Sequence, residues 1–170
     1  MPELWDVYDK NYVKTGRLHE RGTPLCNGEY HLIVHIWIVN SRNEWLITKR
    51  APGISWSGYW QATGGSATAG DTSLSAVLRE AQEEIGIALD PDAGSLFTHY
   101  REEKTEPGGH FVDVWLFHRD IDLSDIVLQP EETCDALWAD AETIQQMREN
   151  GTFLPPRMNP YADALFASLN

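Results

Sequence analysis

Residues 65–87 read GSATAGDTSLSAVLREAQEEIGI. The stretch places Glu80, Glu83 and Glu84 at spacings i, i+3 and i+4, just after a glycine-rich turn. A helix turns through about 100° per residue, so the three carboxylates share one face. Leu74, Val77, Leu78, Ala81 and Ile85 share another, roughly 120° away. Like charges at these spacings repel by roughly 0.2–0.5 kcal/mol per pair. A helix that gathers three of them beside a tight turn gains from a cation, and carboxylate oxygens select a hard one, Mg2+ or Mn2+. Asp71 or Thr72 can cap the helix start, and Gly86 stands where a C-terminal glycine stop belongs. Arg79, four residues before Glu83, is placed to hold the acids by ion pairing.

Outward from this helix the chain reads mostly as strands. Residues 4–22 alternate apolar and polar side chains around Asp9-Lys10-Asn11 and Thr15-Gly16, the pattern of a small hairpin. His31 to Val39 is β-branched, aromatic and nearly free of charge, the strongest strand signal in the chain. Ser41-Arg42-Asn43 makes a turn into a strand from Glu44 to Arg50, and residues 52–59 form a loop rich in Pro, Gly and Ser. Further strands are expected near 96–101, 110–117 and 136–139. Helices are expected at 142–148 and 159–169, parted by Pro155-Pro156. Few helices scattered among many strands predict a mixed sheet with helices on both faces. Side chains alternate along a strand, so His31, Ile33, His35 and Trp37 share one face. Leu32, Val34, Ile36 and Ile38 share the other, assigned to the deeper core.

Composition narrows the function. A chain of 170 residues, 42% hydrophobic and 23% charged, fits one domain with a real core. It has no apolar run long enough to span a membrane and no secretory signal pattern, which predicts a cytoplasmic protein. Cys26 and Cys134 form no CxxC pair, and reduced thiols are expected. A net charge of −13 with no basic stripe disfavours nucleic acid polymers. A small phosphorylated molecule delivered with Mg2+ is compatible, because the metal and a few local basic residues cancel charge at the site.

The stretch resembles the Nudix box, the signature of the Nudix hydrolases. Gly65 opens it, an acid follows after five residues, and Arg79-Glu80-Ala81-Gln82-Glu83-Glu84-Ile85-Gly86-Ile87 closes it. The first acid is Asp71, where the family has Glu. The whole pattern arises by chance in on the order of one chain in a million. The resemblance implies an α/β/α sandwich with a mixed β-sheet and an N-terminal β-hairpin extension. On that reading residues 1–170 form a single domain, with the extension at 1–29, the box at 65–87 and a C-terminal helix at 155–170. It also implies Mg2+- or Mn2+-dependent cleavage of a diphosphate linkage by water attack on phosphorus. The substrate would be a small nucleoside-diphosphate-type or other phosphorylated metabolite, and a homodimer is compatible with the family.

The resemblance assigns metal ligation to Glu80, Glu83 and Glu84, joined by the carbonyl of Gly64 and a later acid. Glu132, six residues before Trp138, fits that last place, with Glu131 the fallback. Glu80 is favoured as the proton acceptor and Glu83 is second. Gly65, Asp71, Arg79 and Gly86 support the site. Arg50 ends a strand near the box and is suited to pair bidentately with phosphate. His31 and His35 are candidates for pyrophosphate contact, and His110 is a further one. Trp56 and Tyr59 flank the glycine-rich loop, while Trp60 is assigned to the core.

A second resemblance competes. Trp5-Asp6-Val7-Tyr8-Asp9, Tyr30-His31-Leu32 and Lys49-Arg50 are similar to type I isopentenyl-diphosphate isomerases. Those enzymes use a cysteine where this chain has Gly64, and a second metal-binding histidine where it has Ser66. The missing thiol weighs against isomerisation and the full set of box acids weighs for hydrolysis. A non-catalytic ligand-binding domain is the third reading.

Overall fold

The computed structural model describes residues 1–104 and 107–169. The N-terminal alternation forms a hairpin of β1 (Leu4–Tyr8) and β2 (Lys14–Glu20). Its turn lies at Asp9–Val13, where Asp9 Oδ1 accepts the backbone N–H groups of Asn11 and Val13. Thr15 and Gly16, read as a turn, instead lie within β2. Then follow β3 (Tyr30–Val39) and β4 (Glu44–Arg50), as expected from their β-branched runs. The stretch before the helix is not a simple turn: it holds two short strands, β5 (Trp60–Gln61) and β6 (Thr63–Ser66). The box helix is α1 (Ser73–Ile85). β7 (Gly94–Glu103), β8 (Gly109–His118) and β9 (Thr133–Asp140) are each longer than expected. α2 (Ala141–Glu149) follows directly on β9. The C-terminal helix is shorter than expected, α3 (Ala162–Ala167), because Asn159 precedes Pro160 and is held out of the helical region. Asn170, the last residue of the expected C-terminal segment, lies outside the described residues.

The sheet is mixed and β3 is its hub. β3 runs parallel to β8 along its full length, from Tyr30↔Gly109 to Val39↔His118. On its other edge it pairs antiparallel with β6, from Ile33↔Ser66 to Ile36↔Thr63. It meets β1 at one end and β4 at the other. β7 flanks β8, while β4 carries β9 and β5.

Both faces of β3 are buried. Leu32, Val34, Ile36 and Ile38 pack against Ala76, Val77, Ala81 and Ile85 of α1. Trp37 and Val39 pack with Trp45, Val114, Ile144 of α2 and Phe166 of α3. The second face is as deep as the first, with Trp37 and Val34 both at 0% exposure. Burying one such aliphatic side chain stabilises the fold by about 1.5–3 kcal/mol, so both layers matter.

The hairpin braces the loop that leads into α1. Asp6 accepts Gly70 N–H at 2.8 Å and pairs with Lys14, whose ammonium also donates to the Asp71 carbonyl at 2.8 Å. Tyr12 O–H donates to the buried Asp113 at 2.7 Å, pinning the hairpin turn to β8.

Candidate active site

The box helix is fixed at both ends. Thr72, not Asp71, is its N-cap: Thr72 Oγ1 accepts Ser75 N–H and Ser75 Oγ accepts Thr72 N–H. Gly86 adopts φ 68° and its N–H reaches the carbonyls of Ala81 and Gln82. A side chain there would also meet Val127 Cβ at 2.8 Å.

The three box glutamates are not equivalent. Glu84 is buried at 6% exposure and its Oε2 has no hydrogen-bond partner. Burial pushes its carboxyl up to about 8, reinforced by the nearby charges of Glu80 and Glu132 and opposed by the Gly64 backbone and Arg50. Glu80 is mostly buried against Gly65, and burial pushes it up to about 7 despite Arg79. The Glu83 side chain is half exposed.

Arg79 gathers the acids, as its position in the helix predicted. It donates to Glu80 Oε1 at 2.9 Å, Glu83 Oε2 at 3.2 Å, Asp71 Oδ2 at 2.9 Å and the Ser66 carbonyl at 3.1 Å. Asp71 also accepts Thr68 N–H at 2.8 Å and the Ser75 hydroxyl at 2.9 Å. The shorter acid therefore still ties the loop to the helix. These hydrogen bonds and Arg79 hold the Asp71 carboxyl low, against its own burial.

The acids open onto a cleft of about 400 Å3. Glu80, Glu83, Glu84 and Glu132 line it, with Gly64, Gly65, Arg50, Arg79 and His35. Glu131 does not. β6 lays Gly64 against His35 of β3, and a side chain at position 64 would meet the Val34 carbonyl at 2.5 Å. Arg50 reaches the cleft, but its guanidinium already donates to the Ser55 carbonyl at 2.7 Å and Gln61 Oε1 at 2.9 Å, so part of its fork orders residues 51–59. His35 Nδ1 lies 2.7 Å from the Tyr161 hydroxyl, and burial lowers the imidazole to about 4, so it is neutral.

Among the described residues, no three acidic, histidine or cysteine side chains converge closely enough to form a ready cation cage. Arg79 holds Glu80 and Glu83 to its own side. The donor set still suits a hard cation: a buried carboxylate oxygen without partner, a second, largely buried carboxylate, and a half-exposed Glu83.

His31 is not in this cleft. It lines a second cavity of about 420 Å3 with Trp5, Leu25 and Lys104. Its ring stacks on Trp5 at 4.0 Å, and burial lowers its pKa to about 3. His110 sits beside it, ring centroids 5.7 Å apart, with Nε2 3.0 Å from Glu102. Trp60 packs against the second core as assigned, while Trp56, at φ 56°, meets Tyr59 edge-on and carries Arg157 over its ring. None of these three aromatics lines the cleft. Sequence reasoning missed Arg21, Gln61 and Asn159, which do. They come from β-strand ends and a C-terminal turn, and no local pattern marks them.

A family model described as the NUDIX domain matches residues 29–160. The chain belongs to the Nudix family. An uncharacterized Nudix hydrolase of Listeria monocytogenes, lmo0368, is 38% identical over 90% of this chain and 89% of its own. That Nudix relative supports assigning this enzyme to hydrolases acting on pyrophosphate bonds. The isopentenyl-diphosphate Delta-isomerase 1 of Photorhabdus laumondii is 31% identical, over 61% of this chain and 60% of its own. The structure of DR0079 from Deinococcus radiodurans superposes with a TM-score of 0.72 at 19% identity, covering 95% of this chain and 98% of that one. This last likeness shows the fold, a mixed sheet with few helices. No helix among the described residues is long and apolar enough to cross a membrane.

Proposed function

We propose that this Nudix hydrolase cleaves a diphosphate linkage in a small phosphorylated metabolite with the help of Mg2+ or Mn2+. The observation that carries the reading is Glu84, a buried carboxyl with one oxygen left without a partner, within the field of the largely buried Glu80. Such a pair is costly without a cation and well suited to one. Glu80, Glu83 and Glu84 would hold the metal, with the Gly64 carbonyl and Glu132 completing the set. When bound, the metal neutralises phosphate oxygens and acidifies water.

The chain's own groups supply the rest. Arg79 pairs with Glu80 and Glu83 and would release them to a bound cation, and Asp71 fixes Arg79. Arg50 and His35 line the same cleft as the box acids and would contact the phosphates. Glu80 accepts a proton from water as the water oxygen bonds to phosphorus; Glu83 is the second choice. The bridging P–O bond breaks, and the leaving phosphate carries away its electron pair. Two exposed free thiols, Cys26 and Cys134, favour a reducing, cytoplasmic setting. Gly64 argues against the isomerase alternative. It offers no thiol, and the Val34 carbonyl leaves no room for one as the strands stand.

The test is a screen of nucleoside triphosphates, nucleotide sugars, ADP-ribose, dinucleotides and prenyl diphosphates with Mg2+ or Mn2+. The reading predicts metal-dependent phosphate or phosphomonoester release from at least one class. Metal binding with no turnover of any would favour a non-catalytic binding domain.

A further inference from the structure

The N-terminal hairpin holds three consecutive residues of the loop that enters the box helix. Ala69 N–H donates to the Leu4 carbonyl, Gly70 N–H to Asp6 Oδ2, and the Lys14 ammonium to the Asp71 carbonyl, each at 2.8 Å. Lys14 also pairs with Asp6 at 2.9 Å, so the second and third contacts share one ion pair.

The same loop anchors Arg79. Its Nη2 donates to the Asp71 carboxylate at 2.9 Å and to the Ser66 carbonyl at 3.1 Å. Its Nη1 donates to Glu80 at 2.9 Å and to Glu83 at 3.2 Å. Its Nε is buried without a partner. The two ends of the guanidinium therefore meet different kinds of group. Nη2 meets a loop carboxylate and a strand carbonyl; Nη1 meets two acids that a cation would claim. A hard cation and Nη1 compete for the same oxygens. Metal binding thus requires Arg79 to give up the acceptors of Nη1 while Nη2 keeps its place. Ser66 is fixed by the pairing of β6 with β3. Asp71 lies between that strand and the helix, bonded locally to Thr68 and Ser75. The hairpin ties its backbone to the rest of the fold.

We propose that Asp6 and Lys14 are positioning residues for the metal site: through Asp71 they park Arg79, so that Glu80 and Glu83 can pass from it to a cation. The inference rests on the metal-dependent hydrolase reading. Neither residue touches metal or substrate in this arrangement. Without the Asp6–Lys14 pair the loop shifts, Nη2 loses its anchor, and Arg79 follows Glu80 and Glu83 with its whole fork. It is then a stronger competitor for the cation. The Lys14 side chain is 41% exposed, and an ion pair so exposed adds little to stability, so its removal spares the fold.

Mn2+ binding to the full chain, read from the EPR signal of the free ion, tests this without any substrate. The site counted is the one that Glu84→Gln removes. Lys14→Ala and Asp6→Ala should each weaken it roughly threefold to tenfold, less than the roughly 10–100-fold lost with a group that bonds a metal ligand directly. Lys14→Arg keeps the charge and the donors and should retain wild-type affinity. Thr15→Ala removes a hydrogen bond within the hairpin, from Thr15 Oγ1 to the Val7 carbonyl, and should leave Mn2+ affinity unchanged. In an Arg79→Ala background, Lys14→Ala should have no further effect, because Lys14 acts only through Arg79. Wild-type Mn2+ affinity in Lys14→Ala, an equal loss in Thr15→Ala, or a full Lys14→Ala effect without Arg79 would overturn the proposal. Should Arg79→Ala fail to fold, the single variants decide alone. Weakened Mn2+ binding in Lys14→Ala and Asp6→Ala, with no hydrolysis of any compound by the wild type, would sink the hydrolase reading and leave the positioning role. Hydrolysis by the wild type with Mn2+ affinity unchanged in both variants would do the reverse. A wild-type chain with no Mn2+ site would overturn both.

Discussion

Arg79 sits among Asp71, Glu80 and Glu83 and donates to all three. Removing it leaves three carboxylates facing one another in a partly buried space, with only a cation to relieve them. Arg79→Ala should therefore destabilise the metal-free protein by about 1–3 kcal/mol. Saturating Mg2+ should restore part of that loss in a urea titration; an equal loss with and without metal would contradict the arrangement. Glu83→Gln should keep the fold, because that side chain is half exposed. It should cut turnover by roughly a hundredfold or more, the scale of losing a metal ligand's transition-state stabilisation. Wild-type hydrolysis by that variant would remove Glu83 from the site. The identity of these acids was legible in the sequence, but their ranking was not. A helical wheel places Glu80, Glu83 and Glu84 alike; only the packed neighbours bury Glu84 and leave Glu83 in solvent. The histidines show the same limit. Alternation put His31 and His35 on one strand face, yet four residues of strand span about 13 Å. One reaches the cleft and the other the cavity under the hairpin.

At the scale of elements, α1 was readable because its signals are local: the capping residues, the apolar stripe and the terminal glycine. Thr72→Ala should cost about 1 kcal/mol by loss of the N-cap. Gly86→Ala should cost more, roughly 1–3 kcal/mol, since it forces a left-handed residue and presses on Val127. Both are measured as shifts in denaturation midpoint, and a neutral Gly86→Ala would show that the helix end relaxes freely. β5 and β6 were not legible. They are two and four residues long, and Gly64-Gly65 carries no strand propensity. What makes β6 a strand is its pairing with β3, a tertiary contact that also brings the Gly64 backbone to the cleft. The Tyr161–His35 hydrogen bond, between residues 126 apart, was beyond any local pattern for the same reason.

At the scale of the whole molecule, burying the acids makes stability depend on pH. Folding lifts Glu80 to about 7 and Glu84 to about 8, from about 4.5. Between pH about 6.5 and 8 the metal-free native state binds protons that the unfolded chain does not, so stability falls as pH rises; below about 6.5 the buried, neutral His31 and His35 act in the opposite sense and offset the two acids. Calorimetry in chelator should show Tm decreasing from pH about 6.5 to 8, and Mg2+ should flatten the decrease; a Tm rising over that range would contradict the sign. The same clustering of acids, within a chain of net charge −13, supports the proposal of a small metal-borne diphosphate over a nucleic acid polymer. Fold class was thus visible in the sequence, while the shape of the cleft came from strands and a C-terminal turn far from the box. The central claim is that water attacks phosphorus at this cleft with a metal present. 31P NMR of the reaction in 18O-enriched water tests it, using whichever diphosphate the screen selects. The account predicts 18O in one phosphate product, formed only with Mg2+ or Mn2+. Product phosphorus without 18O, or turnover that ignores the metal, would contradict it.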